Sequence, residues 1–280
     1  MSTPKEIEKK KYKLGLALSG GGARGFAHPG AIKAIEDLGL RPDIISGTSA
    51  GALAGVLYAD GYTPEEIVEL FVGKDFKEFA EIQMPVVGIF ATLGFRRFLK
   101  KHLRAKKFED LKIPVKVLTT NLDEGRSVVF SKGAIIEPVI ASCSIPIVFN
   151  PVVINGINYV DGGIFKNFPV STIRGISEKI IGVNVSPLVS KKYNRSLMHI
   201  AQRSYHFMSR TNTLLDRQLC DVLIEMEDVT DFKTFDLVNS QKIFQMGYDN
   251  AQKALLKSVE ENIFTVVSPT DKGEQKILLP

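Results

Sequence analysis

A GxSxG pentapeptide, Gly47-Thr48-Ser49-Ala50-Gly51, stands at a predicted strand-to-helix turn. The run from Asp43 to Ser46 before it is typical of a buried strand, and Ala52 to Leu57 after it is typical of a helix. A serine at such a turn is held in a strained backbone conformation, and its flanking glycines let strand and helix pack closely around it. The pattern predicts a nucleophile elbow that lifts the Ser49 hydroxyl out of the sheet, with Gly47 and Gly51 in support.

A second glycine-rich turn, Gly20 to Gly25, lies between the predicted strand Leu14 to Ser19 and the predicted helix Ala27 to Leu38. Its GxGxxG spacing also fits a dinucleotide-binding turn, but that fold needs an acidic residue at the end of the second strand, where this chain has Ser46-Gly47. The N–H groups of Gly20, Gly21 and Gly22 at a helix start are suited instead to an oxyanion. The turns after the first two strands of such a sheet lie side by side, so we expect these glycines to face Ser49. A glycine turn that only lets strand and helix pack closely is the remaining alternative.

A nucleophilic serine needs a base, and none of the four histidines stands in a setting typical of one. They are His28, His102, His199 and His206. The better candidate is Asp161, because an apolar approach and the following Gly162 and Gly163 place its carboxylate in a tight, partly desolvated turn. A plain Asx-turn explains the same residues, so both interpretations stay open at this point.

Predicted strands and helices continue to alternate along the chain after the elbow. Further strands are predicted at 115–120, 127–130, 180–185 and 222–226, and further helices at 135–142, 197–219 and 240–259. Several strands are continuously apolar, which favours an α/β fold, a three-layer α/β/α sandwich with a mostly parallel central sheet. We predict a flexible basic tail over residues 1–12 and a single domain over 13–280, with the motifs in 13–186 and a C-terminal extension in 187–280.

Composition and charge narrow the classes of partner. The chain has 280 residues, of which 44% are hydrophobic and 24% charged, as in an ordinary globular protein. Its net charge is +5, and residues 96–107 hold seven basic residues and no acid without any nucleic-acid-binding motif. We therefore expect no nucleic-acid partner. Phe95 to Lys107 has the pattern of a basic amphipathic helix, which predicts either contact with an anionic membrane or a helix packed on the core.

Cysteine content and hydropathy bear on compartment. Cys143 and Cys220 lie far apart with no CxxC and no paired histidines, so we predict two buried free thiols, no disulfide and no zinc site. The basic start followed by Leu14 to Ser19 imitates a signal peptide, but its apolar stretch is too short. No segment reaches the roughly 18 apolar residues that span a bilayer. We expect a cytoplasmic protein with at most a peripheral membrane contact, and the sequence leaves the oligomeric state open.

The motifs GGGxRG, GxSxG and DGG, in this order, resemble those of the patatin-like phospholipase family, and the resemblance covers about residues 13–186. Ala141 to Pro146 with Pro151, and Asn167 to Val170, are similar to their counterparts there. The resemblance implies a serine hydrolase with a Ser49–Asp161 dyad and no histidine, an oxyanion loop at Gly20 to Gly22, and no cofactor or metal. Arg24 and Gly25 complete the first motif, and Arg24 is expected to brace the loop, with a direct contact to a substrate phosphate as the alternative. Pro29 stands where such proteins more often carry an aliphatic residue.

The implied function is the cleavage of carboxylic esters of lipids through an acyl-enzyme, of the phospholipase A, lysophospholipase or acyl esterase type. A lipid or acyl-ester substrate is then the expected partner. A GxGxxG nucleotide-binding protein and a non-catalytic lipid-binding scaffold are the alternatives. Apolar residues near the basic helix predict an acyl-chain groove, a lid over it, or ordinary core: Phe76, Phe79, Met84, Phe90 and Leu93.

Overall fold

The computed structural model describes residues 11–74, 78–79, 81–82, 90–187, 197–267 and 276–278. The strands are β1 Tyr12–Leu18, β2 Ile44–Thr48, β3 Glu81–Ile82, β4 Phe90–Ala91, β5 Val115–Asn121, β6 Arg126–Phe130, β7 Val152–Ile154, β8 Ile157–Asp161, β9 Ser177–Asn184, β10 Val222–Glu225, β11 Thr265–Val267 and β12 Lys276–Leu278. The helices are α1 Ala27–Asp37, α2 Ala50–Ala59, α3 Pro64–Glu69, α4 Leu93–His102, α5 Ile136–Ser142, α6 Ser171–Arg174, α7 Leu197–Thr211, α8 Leu214–Arg217 and α9 Ser240–Glu260. The predicted tail lies outside the described residues except for Lys11 and Tyr12, the latter of which begins β1.

The central sheet has the strand order β10-β9-β1-β2-β5-β8-β7, with β6 paired to β5. Pairing is parallel from β10 through β5 and antiparallel among β5, β6, β7 and β8. The mostly parallel α/β sheet predicted from the continuously apolar strands is therefore confirmed. Its antiparallel end consists of short strands that carry polar residues and turns.

Both faces of the sheet are covered by apolar clusters. In β1, Leu14, Leu16 and Leu18 point into the larger cluster, which includes residues of α1, α2, α5 and α9. Ala17 points to the opposite face, into a smaller cluster with Phe168 and Ile173 beside α6. Side chains alternate between the faces of a strand, so this split produces the three predicted layers.

The later part of the chain is built into the same sheet and the same layers. β10 pairs with β9 in parallel, and α9 packs so closely on α1 that a Cβ at Gly247 would lie 2.2 Å from the Ala27 carbonyl oxygen. The predicted helix 197–219 is wrong in one respect, because it is interrupted between α7 and α8. The physical reason is Asn212, whose side-chain amide donates to the carbonyls of Gly163 and Ile164 at 2.9 and 3.1 Å, holding this end of α7 on the turn after β8.

The β7–β8 hairpin brings the chain back toward β5. Asn155 and Gly156, with φ of 51° and 81°, form its two-residue turn, which is the dipeptide that such a turn favours. β8 then pairs antiparallel with the end of β5, in the register Thr119 opposite Asp161 and Asn121 opposite Tyr159. This register fixes where Asp161 leaves the sheet.

Candidate active site

The elbow at Ser49 joins β2 to α2. Ser49 has φ 54° and ψ −123°, a strained conformation for a residue with a side chain, and its side chain is almost fully buried. A Cβ at Gly47 would lie 2.5 Å from the Gly51 carbonyl oxygen, and one at Gly51 would lie 2.4 Å from the Leu18 carbonyl oxygen. Only glycine fits either position, so the predicted support by these two residues has a steric cause.

The strained elbow is held by a short chain of hydrogen bonds. The Ser49 N–H donates to Ser142 Oγ at 2.8 Å, and the Ser142 hydroxyl donates to the Leu118 carbonyl oxygen at 2.6 Å. Ser142 belongs to the Ala141 to Pro146 segment, so that segment has a defined task, which is to tie the elbow to β5.

Strand order brings three chain segments to one place. Leu18 at the end of β1 lies opposite Gly47, Thr48 of β2 lies opposite Leu118, and Thr119 of β5 lies opposite Asp161. The glycine loop and the elbow are therefore neighbours, as the parallel sheet predicted. Asp161 comes from the antiparallel end of the sheet, an arrangement that no periodicity in the sequence indicated.

Asp161 is 2% exposed and accepts three hydrogen bonds. The Gly163 N–H donates to its Oδ1 at 2.8 Å, and the hydroxyls of Ser49 and Tyr205 donate to the carboxylate as well. Burial raises the pKa of Asp161 to about 6, while the three donors hold it below the value that burial alone would give. The carboxyl group is thus an Asx-turn acceptor and a partner of Ser49 at the same time, so the two sequence interpretations are compatible.

A small polar cavity of about 20 Å³ separates the glycine loop from these side chains. It is lined by Gly20, Gly21, Gly22, Ser49, Ile145, Asp161, Asn167, Ser186, Tyr205, Ser209 and Thr234. The Gly20 N–H is already donated to the Asn167 carbonyl oxygen at 2.9 Å. This bond removes Gly20 from the three predicted oxyanion donors and leaves Gly21 and Gly22, the latter with φ of 60°.

Arg24 lies in the 3-10 turn Gly22–Phe26, between the glycine loop and α1, and does not line this cavity. Its Nε donates to the Phe232 carbonyl oxygen at 3.1 Å, and the side chain is 7% exposed. Burial and the nearby Arg210 lower the pKa of Arg24 to about 10.

Gly25 contacts the elbow, since a Cβ there would lie 2.4 Å from Ala50 Cβ. Pro29 stands in the first turn of α1, where its missing N–H costs no helical hydrogen bond.

A larger apolar cavity of about 150 Å³ opens from the other side of Ser49. Its lining comes from α1, α2, α5, α4 and the segment 234–237, and includes Pro29, Leu53, Leu57, Phe71, Phe79, Phe95, Ile140, Phe149, Phe235 and Leu237. Of the residues predicted to form an acyl groove or lid, Phe79 lines this cavity, Phe90 packs on Phe149, and Leu93 is 46% exposed. Phe76 and Met84 lie outside the described residues.

Neither His28 nor His102, the two histidines with described side chains, lines the cavities at Ser49. His28 is fully buried and bonds through Nε2 to the Ser19 carbonyl oxygen at 2.7 Å, and burial lowers its pKa to about 4. The His102 ring packs on Phe98 at a tilt of 42°. The side chains of His199 and His206 are outside the described part of the chain. A neutral His28 thus supports the start of the glycine loop.

Two residues of this site carried no signal in the sequence. Cys143, predicted to be a buried free thiol, is half-buried, lines the apolar cavity and forms a hydrogen bond with the Ser49 side chain. Burial and Asp161 raise the pKa of this thiol well above its ordinary value, so it stays protonated. Tyr205 comes from α7, far along the chain from every motif, and only the fold places it at Asp161.

The basic helix α4 has two different faces. Phe98 packs on Phe71 and Phe79 and Leu99 is fully buried, whereas Arg97 and Lys101 are exposed. The apolar face therefore lies in the core, and the basic face is the one that solvent reaches. No helix in the described part of the chain is long and apolar enough to cross a bilayer. No group of three or more metal-ligating side chains occurs among the described residues either.

The family model of the patatin-like phospholipases matches residues 16–173, which is more than half of the chain. This chain belongs to the patatin-like phospholipase family. The matched range includes Gly20 to Gly25, the elbow at Ser49 and the Asp161-Gly162-Gly163 turn, and it ends before Tyr205. The dinucleotide-binding interpretation of GxGxxG gains no support from this match.

Two curated relatives and one solved structure are also similar to this patatin-like chain. It is 36% identical over 174 residues to lysophospholipase NTE1 of Kluyveromyces lactis, covering 60% of this chain and 12% of that protein. It is 26% identical over 304 residues to lysophospholipase nte1 of Aspergillus fumigatus, and this match covers 95% of this chain and 20% of that protein. The chain thus spans a fifth or less of the length of these two curated relatives. The crystal structure of VipD from Legionella pneumophila has the same fold, with a TM-score of 0.56 at 16% identity over 88% of this chain and 67% of that one.

Proposed function

We propose that this chain is a serine hydrolase that cleaves carboxylic esters of lipids through a Ser49–Asp161 dyad. One observation carries the proposal: a buried carboxylate accepts a hydrogen bond from an elbow serine at the junction of a polar and an apolar cavity. Membership of the patatin-like phospholipase family and two relatives named lysophospholipase support the same reaction class. Phospholipase A, lysophospholipase and acyl esterase activities all fit this site.

In the first half-reaction, Ser49 Oγ attacks the ester carbonyl carbon while Asp161 takes its proton. The N–H groups of Gly21 and Gly22 stabilise the oxyanion of the tetrahedral intermediate. The intermediate collapses, the alkoxide of the leaving alcohol receives the proton from Asp161, and the acyl group stays on Ser49. A carboxyl pKa of about 6 suits both proton transfers near neutral pH.

In the second half-reaction, a water molecule attacks the acyl-Ser49 carbonyl and gives its proton to Asp161. The same two glycine N–H groups hold the second oxyanion. Collapse then releases the fatty acid, and the proton on Asp161 returns to Ser49 Oγ. Arg24 supports the loop through its bond to Phe232, which keeps the donors in place without contacting the substrate.

The apolar cavity beside Ser49 is the proposed acyl-chain site. It is lined mostly by aliphatic and aromatic side chains, and its other side chains are those of Ser49, Thr92, Cys143 and Thr234. Burial of an acyl chain there gains about 0.8 kcal/mol per methylene. The lipid's alcohol portion then faces the polar cavity, on the side of Ser186 and Ser209.

Peripheral contact with an anionic membrane through Phe95 to Lys107 is part of the proposal. The basic side of this segment is exposed at Arg97, Lys100, Lys101 and Arg104, while the apolar side of α4 is buried. The attraction is therefore electrostatic and needs no insertion of the helix.

We further propose that residues 13–280 act as one hydrolase domain, because β10 and α9 are packed into its layers. A cytoplasmic location at the membrane surface stays a prediction.

Fluorophosphonate labelling combined with hydrolysis of a p-nitrophenyl ester tests the nucleophile. The wild-type chain is expected to label and to hydrolyse the ester, and Ser49→Ala is expected to lose both. Ser144→Ala is the matched control, because its buried hydroxyl donates to the Ile140 carbonyl and lines neither cavity. Labelling that persists in Ser49→Ala would refute the assignment, and a wild-type chain that binds lipid without labelling would identify a lipid-binding scaffold.

Vesicle co-sedimentation tests the membrane contact separately. The double variant Arg97→Glu/Lys101→Glu is expected to lose binding to vesicles that contain anionic lipid. Lys242→Glu/Lys253→Glu reverses two exposed charges on α9 and serves as the control. Equal binding of wild type to neutral and anionic vesicles would remove the electrostatic contact.

A further inference from the structure

We propose that Tyr205 is a positioning residue for the Ser49–Asp161 pair, so that the site works as a hydrogen-bonded chain of serine, carboxylate and phenol. The inference rests on the proposed function and assigns a task to α7, which the family match does not cover. Tyr205 acts through Asp161 and is not itself a group that reacts.

The contact between Tyr205 and the turn after β8 is close. The Tyr205 phenol donates a hydrogen bond to the Asp161 carboxylate. A Cβ at Gly163 would lie 2.8 Å from the Tyr205 hydroxyl oxygen and 3.1 Å from Asp161 Oδ1. The phenol therefore occupies the space that the absent side chain of Gly163 leaves, and this explains sterically why a second glycine follows Asp161.

The position of Tyr205 is fixed by the C-terminal end of α7 and by α8. Asn212 donates to the Gly163 and Ile164 carbonyls and accepts from the Asn167 N–H at 2.9 Å. In α8, the buried Asp216 accepts from the ammonium group of Lys166 at 2.8 Å and from the Ser171 N–H. Hydrogen bonds thus hold this part of the chain to the segment between β8 and α6, and Tyr205 with it.

The phenol compensates for the loss of water around the carboxylate. Asp161 is 2% exposed, and an ionised carboxylate in such a place needs donors. Gly163 supplies one, Tyr205 a second, and Ser49 a third that is lost as soon as its proton is transferred. The Tyr205 donor remains at every step, so it fixes the carboxylate's orientation while the proton moves.

Two other titratable groups face Asp161 among the described side chains, and neither changes charge near neutral pH. Burial and the nearby carboxylate raise the pKa of Tyr205 and that of the Cys143 thiol well above their ordinary values. Both groups stay protonated, so the acid limb of the pH profile of kcat/KM reports Asp161. Removal of the phenol hydroxyl is then expected to move this limb to higher pH.

The test is the pH profile of kcat/KM for Tyr205→Phe with a soluble p-nitrophenyl ester. A hydrogen bond to a charged group contributes about 1.5–3 kcal/mol, so the apparent pKa of the acid limb is expected to rise by about one to two units. The plateau at high pH is expected to recover to within about tenfold of wild type, with little change in KM. Tyr58→Phe is the matched control, because it deletes a phenol hydroxyl that donates to Glu36 and does not line either cavity.

An unshifted acid limb in folded Tyr205→Phe would overturn the inference, as would a loss of rate that is equal at all pH values. Should this variant fail to fold, 3-fluorotyrosine at position 205 keeps the shape and strengthens the donor. It is expected to move the acid limb to lower pH, and a limb that stays in place would again refute the role. Failure of the proposed function itself is distinguishable, because wild type would then show no hydrolysis that depends on Ser49.

Discussion

The motif-bearing part of the molecule and the part from α7 onward contribute to the site in different ways. The first part supplies backbone geometry: a strained elbow, a glycine loop, and a turn that holds a buried carboxylate beside the elbow serine. The later part supplies side chains, of which Tyr205 contacts Asp161 and Phe235 and Leu237 line the apolar cavity. Backbone geometry leaves a trace in the sequence, because it needs glycine at fixed spacings. Side chains that reach the site from distant parts of the chain leave no such trace.

The largest effect is expected where the first part holds the proposed base. Asp161→Asn removes the proton acceptor but keeps the shape, so kcat is expected to fall by about 10²- to 10⁴-fold. Ester hydrolysis by purified protein measures it. Asp123→Asn is the control, since that exposed carboxylate accepts hydrogen bonds from Asn158 in the β7–β8 hairpin and lines neither cavity. Full activity in Asp161→Asn would eliminate this residue as the base.

The second-largest effect on activity is expected at the contact between Gly22 of the first part and Thr234 of the later part. Gly22→Ala places a Cβ 2.4 Å from the Thr234 carbonyl oxygen at a backbone φ of 60°, which is expected to displace the loop and lower kcat about 10²- to 10³-fold. Gly125→Ala has a similar φ of 65° in open space and isolates the cost of the conformation. If the Gly22 variant hydrolyses esters as fast as the Gly125 variant, the loop does not hold the oxyanion.

The later part contributes Leu237 to the lining of the apolar cavity, where it is expected to affect the preference for acyl length. Leu237→Trp fills part of the cavity of about 150 Å³, so long-chain esters are expected to lose about tenfold in kcat/KM while acetyl esters do not change. A p-nitrophenyl ester series from two to sixteen carbons measures the shift. Leu256→Trp, on the exposed side of α9, is the control. Parallel losses at every chain length would assign the acyl chain to another surface.

The smallest effect concerns stability. Burial raises the pKa of Asp161 from 3.8 to about 6, so the folded state binds this proton more tightly than the unfolded state does. Its contribution to stability is therefore present below about pH 4 and is lost as pH rises through about 6. Asp161→Asn carries no charge, and at pH 7.5 it is expected to be more stable than wild type by about 1–3 kcal/mol.

Thermal melts at several pH values check this stability difference. The advantage of Asp161→Asn is expected to shrink toward pH 4, where the wild-type carboxyl group is protonated. A lower Tm for the variant at pH 7.5 would mean that the ionised carboxylate stabilises the fold.

The features that could be predicted from the sequence are mainly those of the motif-bearing part. The elbow, the glycine loop and Asp161 were predicted because each combines a chemical group with glycines, and the parallel half of the sheet because its strands are continuously apolar. The loss of Gly20 as an oxyanion donor was not predictable, since it depends on the Asn167 carbonyl, well over a hundred residues away. The break between α7 and α8 had the same kind of cause, because Asn212 is a weak signal until its partners at 163 and 164 are known. The contact between Cys143 and Ser49 also depends on the fold, because the sequence shows only an isolated cysteine.

Asp161 reaches the site on a strand that runs against its neighbour β5, and its face is set by alternation along β8. Val160 and Asp161 point to opposite faces of the sheet. One amino acid inserted into β8 would therefore turn the Asp161 carboxylate away from the Ser49 hydroxyl and place an aliphatic side chain in its position. An insertion of the same size at Asp123–Glu124, in the exposed turn between β5 and β6, leaves that pairing untouched. In an insertion scan across residues 122–161, insertions in the turn between β5 and β6 would leave ester hydrolysis unchanged. Insertions within a few positions of the end of β8 would abolish it.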